Sequence, residues 1–233
     1  MKQPVAIVFD TFGSVVDWRG SLIDQLAAFG ARRGIDHDWA GLADDWRTAY
    51  PASMQRVLKG ETAWTKLEAL QRHSIEEIAL ARGLADLTPA DLDEINLFWR
   101  RCRAWPDSVA GLERLRHGFV VAPLSNGDVA LLVEMAKTAG LAWDMVFSTE
   151  LFHSFKPHPS TYLGACELLG LAPAQVMMCA AHNSDLAAAH ALGLKTAFIS
   201  RPTEYGPARE AVATGHWEYS VDSLTQLADR LGC

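Results

Sequence analysis

Five short, almost uninterrupted apolar runs, each closed by a polar or turn-forming residue, constrain the fold of this chain more than any other feature. They are PVAIVFD at 4–10, FVVAPLSN at 119–126, DMVFST at 144–149, QVMMCAA at 175–181 and KTAFIS at 195–200. Segments with helical spacing lie between the later ones, at 128–140, 159–170 and 185–193, and each ends in a glycine suited to a helix C-cap. A strand with one wet face alternates apolar and polar residues, so strands apolar on both faces must be covered on both. Such strands alternating with helices predict an α/β fold built on a doubly wound, Rossmann-like parallel sheet.

The region from 17 to 98 departs from this rhythm. It holds no convincing strand, is rich in helix formers, and with its flank carries Trp18, Trp39, Trp46, Trp64 and Trp99. Its DLTPADLDEI stretch reads as a helix start, with Thr88 as cap, Pro89 in the first position and Asp91 completing a capping box. The predicted organisation is an α/β core of residues 1–16 and 99–233, with 17–98 inserted as a helical cap subdomain.

Bulk properties narrow the function. Apolar residues make up 49% of the 233, enough for a sizeable core. The formal charge of −7 leaves no electrostatic footprint for nucleic acid or an anionic membrane. No stretch nears the ~20 apolar residues of a membrane span, and the N-terminal apolar run is too short for a secretory signal. Cys102, Cys166, Cys179 and Cys233 are scattered with no CxxC pair, which suits buried thiols in a reduced, cytoplasmic protein.

In a doubly wound sheet, ligands bind where loops leave the carboxyl ends of the strands. That rule directs Asp10, Ser125 with Asn126, the loop of Lys156, and His182 to Asp185 towards one crevice, with the insertion above it as a lid. Each has an ordinary reading alone: Asp10 a cap, Ser-Asn-Gly a turn, Lys156 a solvated charge. Convergence changes that. Asp10 at a strand end is placed as a carboxylate nucleophile. Phosphoryl transfer calls for a cation clamp and usually an acid for the leaving group, yet the residue two places on is Phe12. An apolar ring there suits displacement at carbon.

The ordered motifs FDTFGS, LSNGD, SFKPHPSTY and AAHNSDLAAAHALGLKT, spread over the whole chain, resemble the haloacid dehalogenase superfamily, in particular its type II (S)-2-haloacid dehalogenases. The resemblance implies hydrolysis of short 2-haloalkanoic acids to 2-hydroxy acids through an Asp10 ester, with no metal and no organic cofactor. It also implies roles. Arg47 receives the departing halide, and Ser125 and Asn126 lie near the substrate carboxylate and halide. Phe12 replaces a frequent Tyr, and Ser14 a frequent Thr. Lys156 keeps Asp10 ionised, Tyr162 stands near substrate or Lys156, and Asp185 holds the lysine and the water network.

The last motif departs from the family's Ser-x-Asn-x-x-Asp. Ala180 and His182 stand for the Ser and Asn that position hydrolytic water, and His182 as a neutral imidazole could take over as base. Tyr50, Trp64 and Phe98 are expected to complete the apolar pocket. RPTEYGP at 201–207 is expected to be a surface loop near the crevice without a role, and the Trp-rich insertion could form the face of a homodimer. A phosphatase of the same fold and a non-catalytic binding protein are the alternative readings.

Overall fold

The computed structural model of the chain describes residues 3–207 and 211–233, excluding the side chain of Tyr50. Strand β1 (Ala6–Phe9) is followed by the short β2 (Val16–Asp17). Four helices come next: α1 (Trp18–Arg33), α2 (Trp39–Leu58), α3 (Leu67–Ala81) and α4 (Pro89–Asn96). A 3₁₀ turn over Leu97–Arg101 then leads to β3 (Arg103–Ala104), which pairs antiparallel with β2 and brings the two ends of the helical stretch together. Thereafter helices and strands alternate: α5 (Ser108–Arg116), β4 (Val120–Ser125), α6 (Val129–Ala139), β5 (Phe147–Ser148), α7 (Pro159–Leu169), β6 (Val176–Ala180), α8 (Asn183–Ala191) and β7 (Lys195–Ile199). The chain closes with β8 (Tyr219–Val221) and α9 (Leu224–Leu231).

The main sheet has the order β5-β4-β1-β6-β7-β8, with every neighbouring pair parallel. This is the doubly wound sheet the apolar runs predict, and burial shows why those runs do not alternate. Ile7 and Phe9 of β1 pack in a cluster with Leu112, Leu131, Leu224 and Leu227 on one face. Val8 joins Tyr162, Ala165, Leu186 and Ala189 on the other. Both faces of the central strand are dry.

The predicted elements meet the structure with instructive differences. The capping box at Thr88 and Asp91 is formed, and Gly140 and Gly170 take the left-handed conformation that ends α6 and α7. Helix α8 starts at Asn183, two residues early, and its C-cap is Leu192. The expected strand at 144–149 shrinks to two residues. On the edge of β4 that faces it, the Val121 amide donates to the Asp144 side chain, and the next donor on that edge would be Pro123, which has none. The ladder therefore begins only at Leu124.

Of the five indoles between residues 17 and 99, four are core and Trp64 is half-buried. Trp18, Trp46 and Trp99 are almost wholly buried; Trp99 stacks on Trp18 at 6.0 Å and meets Trp46 edge-on at 5.4 Å. With Trp39 also buried, these side chains are not available to a dimer face. Among the described residues, no helix is long and apolar enough to cross a membrane. Trp99 touches both Trp18 and Trp46 of the helical stretch and Phe12. Trp99→Ala should therefore cost about 3–5 kcal/mol in urea unfolding, and a loss near zero would show that the aromatic cluster does not support the fold.

Candidate active site

The site starts where β1 stops. The Asp10 amide still donates to Cys179 O of β6 at 3.0 Å, so the residue is held by the sheet while its side chain passes the sheet's edge. The chain then turns back, with the Val15 and Val16 amides both donating to Thr11 O. Gly13 in this turn has φ +89°, where a side chain is strained, and a Cβ there would lie 2.1 Å from a Glu204 carboxylate oxygen. Both the turn and the close approach of Glu204 require glycine.

Every oxygen of Asp10 is engaged. Lys156 Nζ donates to Oδ1 at 2.9 Å, Ser14 Oγ donates to Oδ2 at 2.8 Å, and His182 Nδ1 lies 2.9 Å from Oδ2. Ser14 is buried behind the carboxylate and also accepts from the Ala181 amide. Burial by itself would raise the Asp10 pKa, but Lys156 and His182 overcome it and hold the carboxyl well below the usual range. Asp10 is an ionised, oriented carboxylate in a buried site.

Lys156 is shared. Its ammonium also donates to Asp185 Oδ2 at 2.5 Å, and its backbone amide donates to Asn126 Oδ1 at 2.8 Å. Burial would lower its pKa, but the two carboxylates outweigh burial and raise it, so the ammonium stays charged. Asp185 lies in the first turn of α8 and takes the Tyr162 hydroxyl on its other oxygen. Its pKa is raised, chiefly by burial. Tyr162 remains a phenol, its pKa pushed up by burial and by Asp185.

His182 differs from expectation in its charge. Nδ1 faces Asp10 and Nε2 lies 3.0 and 3.1 Å from the two oxygens of Glu204, a buried carboxylate that also accepts from Trp18 Nε1 at 3.1 Å. Burial would lower the imidazole pKa, but hydrogen bonds to Asp10 and Glu204 reverse this and push it up to about 10. In the resting site His182 is an imidazolium, because both ring nitrogens meet carboxylates; a neutral ring does not match these surroundings.

Asp10, Lys156, Tyr162, His182 and Asp185 line a cleft of about 290 Å³. Helix α2 supplies Arg47, Pro51 and Met54, whose spacing puts them on one helix face. The Arg47 guanidinium carbon sits 5.4 Å from the Trp18 ring centre. Phe12 forms an apolar wall, backed edge-on by Trp99 at 5.4 Å. Asn126 completes the floor, its amide donating to Met54 Sδ at 3.2 Å. The arrangement offers an anionic nucleophile, cations on several sides and an apolar wall where a phosphatase's second acid would stand.

Of the sequence candidates, Asp10, Phe12, Arg47, Asn126, Lys156, Tyr162, His182 and Asp185 line the cleft. Ser125 is fully buried, its hydroxyl accepting from the Gly127 amide and holding the turn. Trp64 packs instead on Phe155 at 4.7 Å and on His153, and Phe98 lies in the core. The side chain of Tyr50 lies outside the described residues. The loop expected to be idle is part of the site. Glu204 holds His182, Tyr205 lines the cleft, and Arg201 donates to Ser14 O and grips Asp107 through two nitrogens. The signal was present, since RPTEYGP leaves the carboxyl end of β7 and the strand-end rule applies there too.

A family model described as haloacid dehalogenase-like hydrolase matches residues 5–198. The crystal structure of the L-2-haloacid dehalogenase PA0810 is 46% identical with a TM-score of 0.95, covering 99% of both chains. That of the defluorinating L-2-haloacid dehalogenase Rha0230 is 40% identical with a TM-score of 0.95, covering 99% of this chain and 96% of that one. The (S)-2-haloacid dehalogenase of Xanthobacter autotrophicus is 28% identical over 215 residues, 89% of this chain and 79% of that protein.

The charge on His182 has a measurable signature. Its folded pKa of about 10 lies above the ordinary 6.5, so its stabilising contribution is fully present below pH 6.5 and is lost as pH rises through about 10. In an NMR titration the ring should stay protonated through neutral pH, and Glu204→Gln should lower its pKa by at least about one unit. An unchanged titration in that variant would show that Glu204 does not hold the charge.

Proposed function

The chain belongs to the haloacid dehalogenase-like hydrolase family, and within it we propose that the protein hydrolyses the carbon–halogen bond of short 2-haloalkanoic acids, with Asp10 as nucleophile. One observation carries the reading. Asp10 is ionised and fixed by Lys156, Ser14 and His182, while the neighbour at i+2 is an apolar ring in place of an acid. A phosphate ester would find no proton donor at that position; a halogen-bearing carbon finds an apolar wall.

In the first step an Asp10 oxygen attacks C2, the new C–O bond forms, and the C–X bond breaks with its electron pair leaving on the halide. Arg47 and the Asn126 amide are suited to receive that anion, the planar guanidinium above Trp18 and the amide by giving up its bond to Met54. In the second step water adds to the carboxyl carbon of the ester. The bond from that carbon to the substrate-bearing oxygen breaks, the 2-hydroxy acid leaves, and Asp10 is restored.

His182 changes character between the steps. Esterification removes one of the two negative charges facing its ring, which lowers its pKa. Once the Nδ1 proton is lost to solvent, Glu204 still holds Nε2–H, and Nδ1 faces the ester ready to accept a proton from water. The helical stretch 17–98 serves as the cap, contributing Arg47 and the apolar face of α2. The unpaired cysteines accord with a reducing cytoplasm.

A halide-release panel on fluoro-, chloro- and bromoacetate and both 2-chloropropionate enantiomers, with and without magnesium or chelator, tests the reading. Halide should appear irrespective of metal and vanish in Asp10→Asn. In heavy-oxygen water a single turnover should leave the solvent oxygen on Asp10, with the product carrying the enzyme's own; solvent oxygen in the first product would refute the ester. His182→Ala should slow the second step by about 10²–10⁴-fold and let an Asp10 adduct accumulate in mass spectra. Unchanged turnover without adduct would remove His182 from the water step.

A further inference from the structure

Helices α3 and α6 both start on caps supplied from outside themselves. Asp128 stands at the N-cap position of α6, yet its side chain makes no bond to its own helix. Its two oxygens accept instead from the Leu67 and Glu68 amides at 3.0 and 2.9 Å, the first two residues of α3. Lys66, at the N-cap of α3, makes no side-chain cap of its own. Its ammonium pairs with Glu150 at 2.5 Å, and Glu150 accepts from the Val129 amide at the start of α6 at 2.9 Å. Each helix start is satisfied by a carboxylate from outside that helix, and Asp128 is buried where it does so.

The Asp128 cap lies one step from the cleft. Leu67, whose amide Asp128 holds, packs in a buried cluster with Met54 and Phe155. Met54 takes the Asn126 amide on its sulfur, and Phe155 precedes Lys156. Asn126 is two residues before Asp128 and accepts the Lys156 amide. A closed circuit therefore joins Asp128, Leu67, Met54, Asn126 and Lys156, crossing from core to insertion and back.

We propose that Asp128 is a positioning residue for substrate capture: by capping α3 from the core it sets the spacing between the Arg47–Met54 face of α2 and the Asn126–Lys156 floor. Asp128 touches no reacting atom and acts through Leu67 and Met54. The inference rests on the reading of the cleft as a haloacid site, but the spacing itself is a property of the fold.

The test pairs haloacid kinetics with hydrogen–deuterium exchange on full-length Asp128→Ala, Asp128→Asn and Lys66→Met. Loss of a cap supplied in trans should raise KM for 2-chloropropionate about five- to tenfold in Asp128→Ala, with kcat within about twofold. Exchange should quicken at residues 67–70 and also at 51–58 of α2. Asp128→Asn keeps one acceptor and should recover most of the KM. Lys66→Met, a substitution at an exposed ammonium, should shift KM the same way by less and guards against misfolding of the first variant. A fall in kcat with KM unmoved, or faster exchange confined to 67–70, overturns the proposal. If the wild type released no halide from any haloacid, the functional reading would fail. The exchange arm would then decide alone, with spread to α2 supporting the positioning role and its absence refuting it.

Discussion

A single buried ammonium, that of Lys156, lies between two carboxylates, and the rest of the site is arranged around that fact. Without it Asp10 and Asp185 would be two buried acids side by side, and burial would favour their protonated forms. With it, Asp10 stays an anion although scarcely exposed. Removing several charges from water carries a desolvation cost that their mutual attraction only partly returns, so such a cluster is poor evidence of stabilisation. Under the proposed function its presence is explained by reactivity, because a carboxylate with few waters to shed is a stronger nucleophile towards carbon.

The same logic extends along the cleft as an alternation of sign. Tyr162 donates to Asp185, Asp185 faces Lys156, Lys156 faces Asp10, Asp10 faces His182, and His182 faces Glu204, which ends on the Trp18 indole. Each buried charge has an opposite neighbour and a fixed orientation. Glu204 needs Gly13 to come so close, which ties a backbone choice three residues after the nucleophile to the state of a histidine 172 residues after it. In the proposed cycle, esterification of Asp10 breaks the alternation, and the consequence falls on His182.

The cleft is built from two layers. The parallel sheet delivers the charged groups at its carboxyl edge, while α2 delivers Arg47, Pro51 and Met54 from above. In the proposed function the core groups set what chemistry is performed, and in the inference drawn from Asp128 the distance between layers sets what fits. Phe12 belongs to both, lining the cleft on one side and resting against Trp99 on the other. Cleft and aromatic core are therefore parts of one packed unit.

Much of this was legible in the sequence because it rests on local chemistry. Apolar runs without alternation demanded a two-sided parallel sheet, Thr88-Pro89-x-Asp91 demanded a helix start, and strand ends directed Asp10, Asn126, Lys156 and His182 to one crevice. Phe12 at i+2 pointed to carbon over phosphorus through its side chain alone. What the tertiary structure decided was partnership. Nothing near His182 in sequence announces Glu204, 22 residues on, and the sequence alone therefore gives the ring no second carboxylate partner. Ser125 carries a hydroxyl in the right motif, but folding turned it to the backbone. Trp64 and Phe98 have the right character for a pocket, and packing placed them elsewhere. Sequence specifies which groups each strand end presents, since that depends on neighbours along the chain; protonation and orientation depend on charges brought within a few ångströms by folding, and those separations exist only in three dimensions.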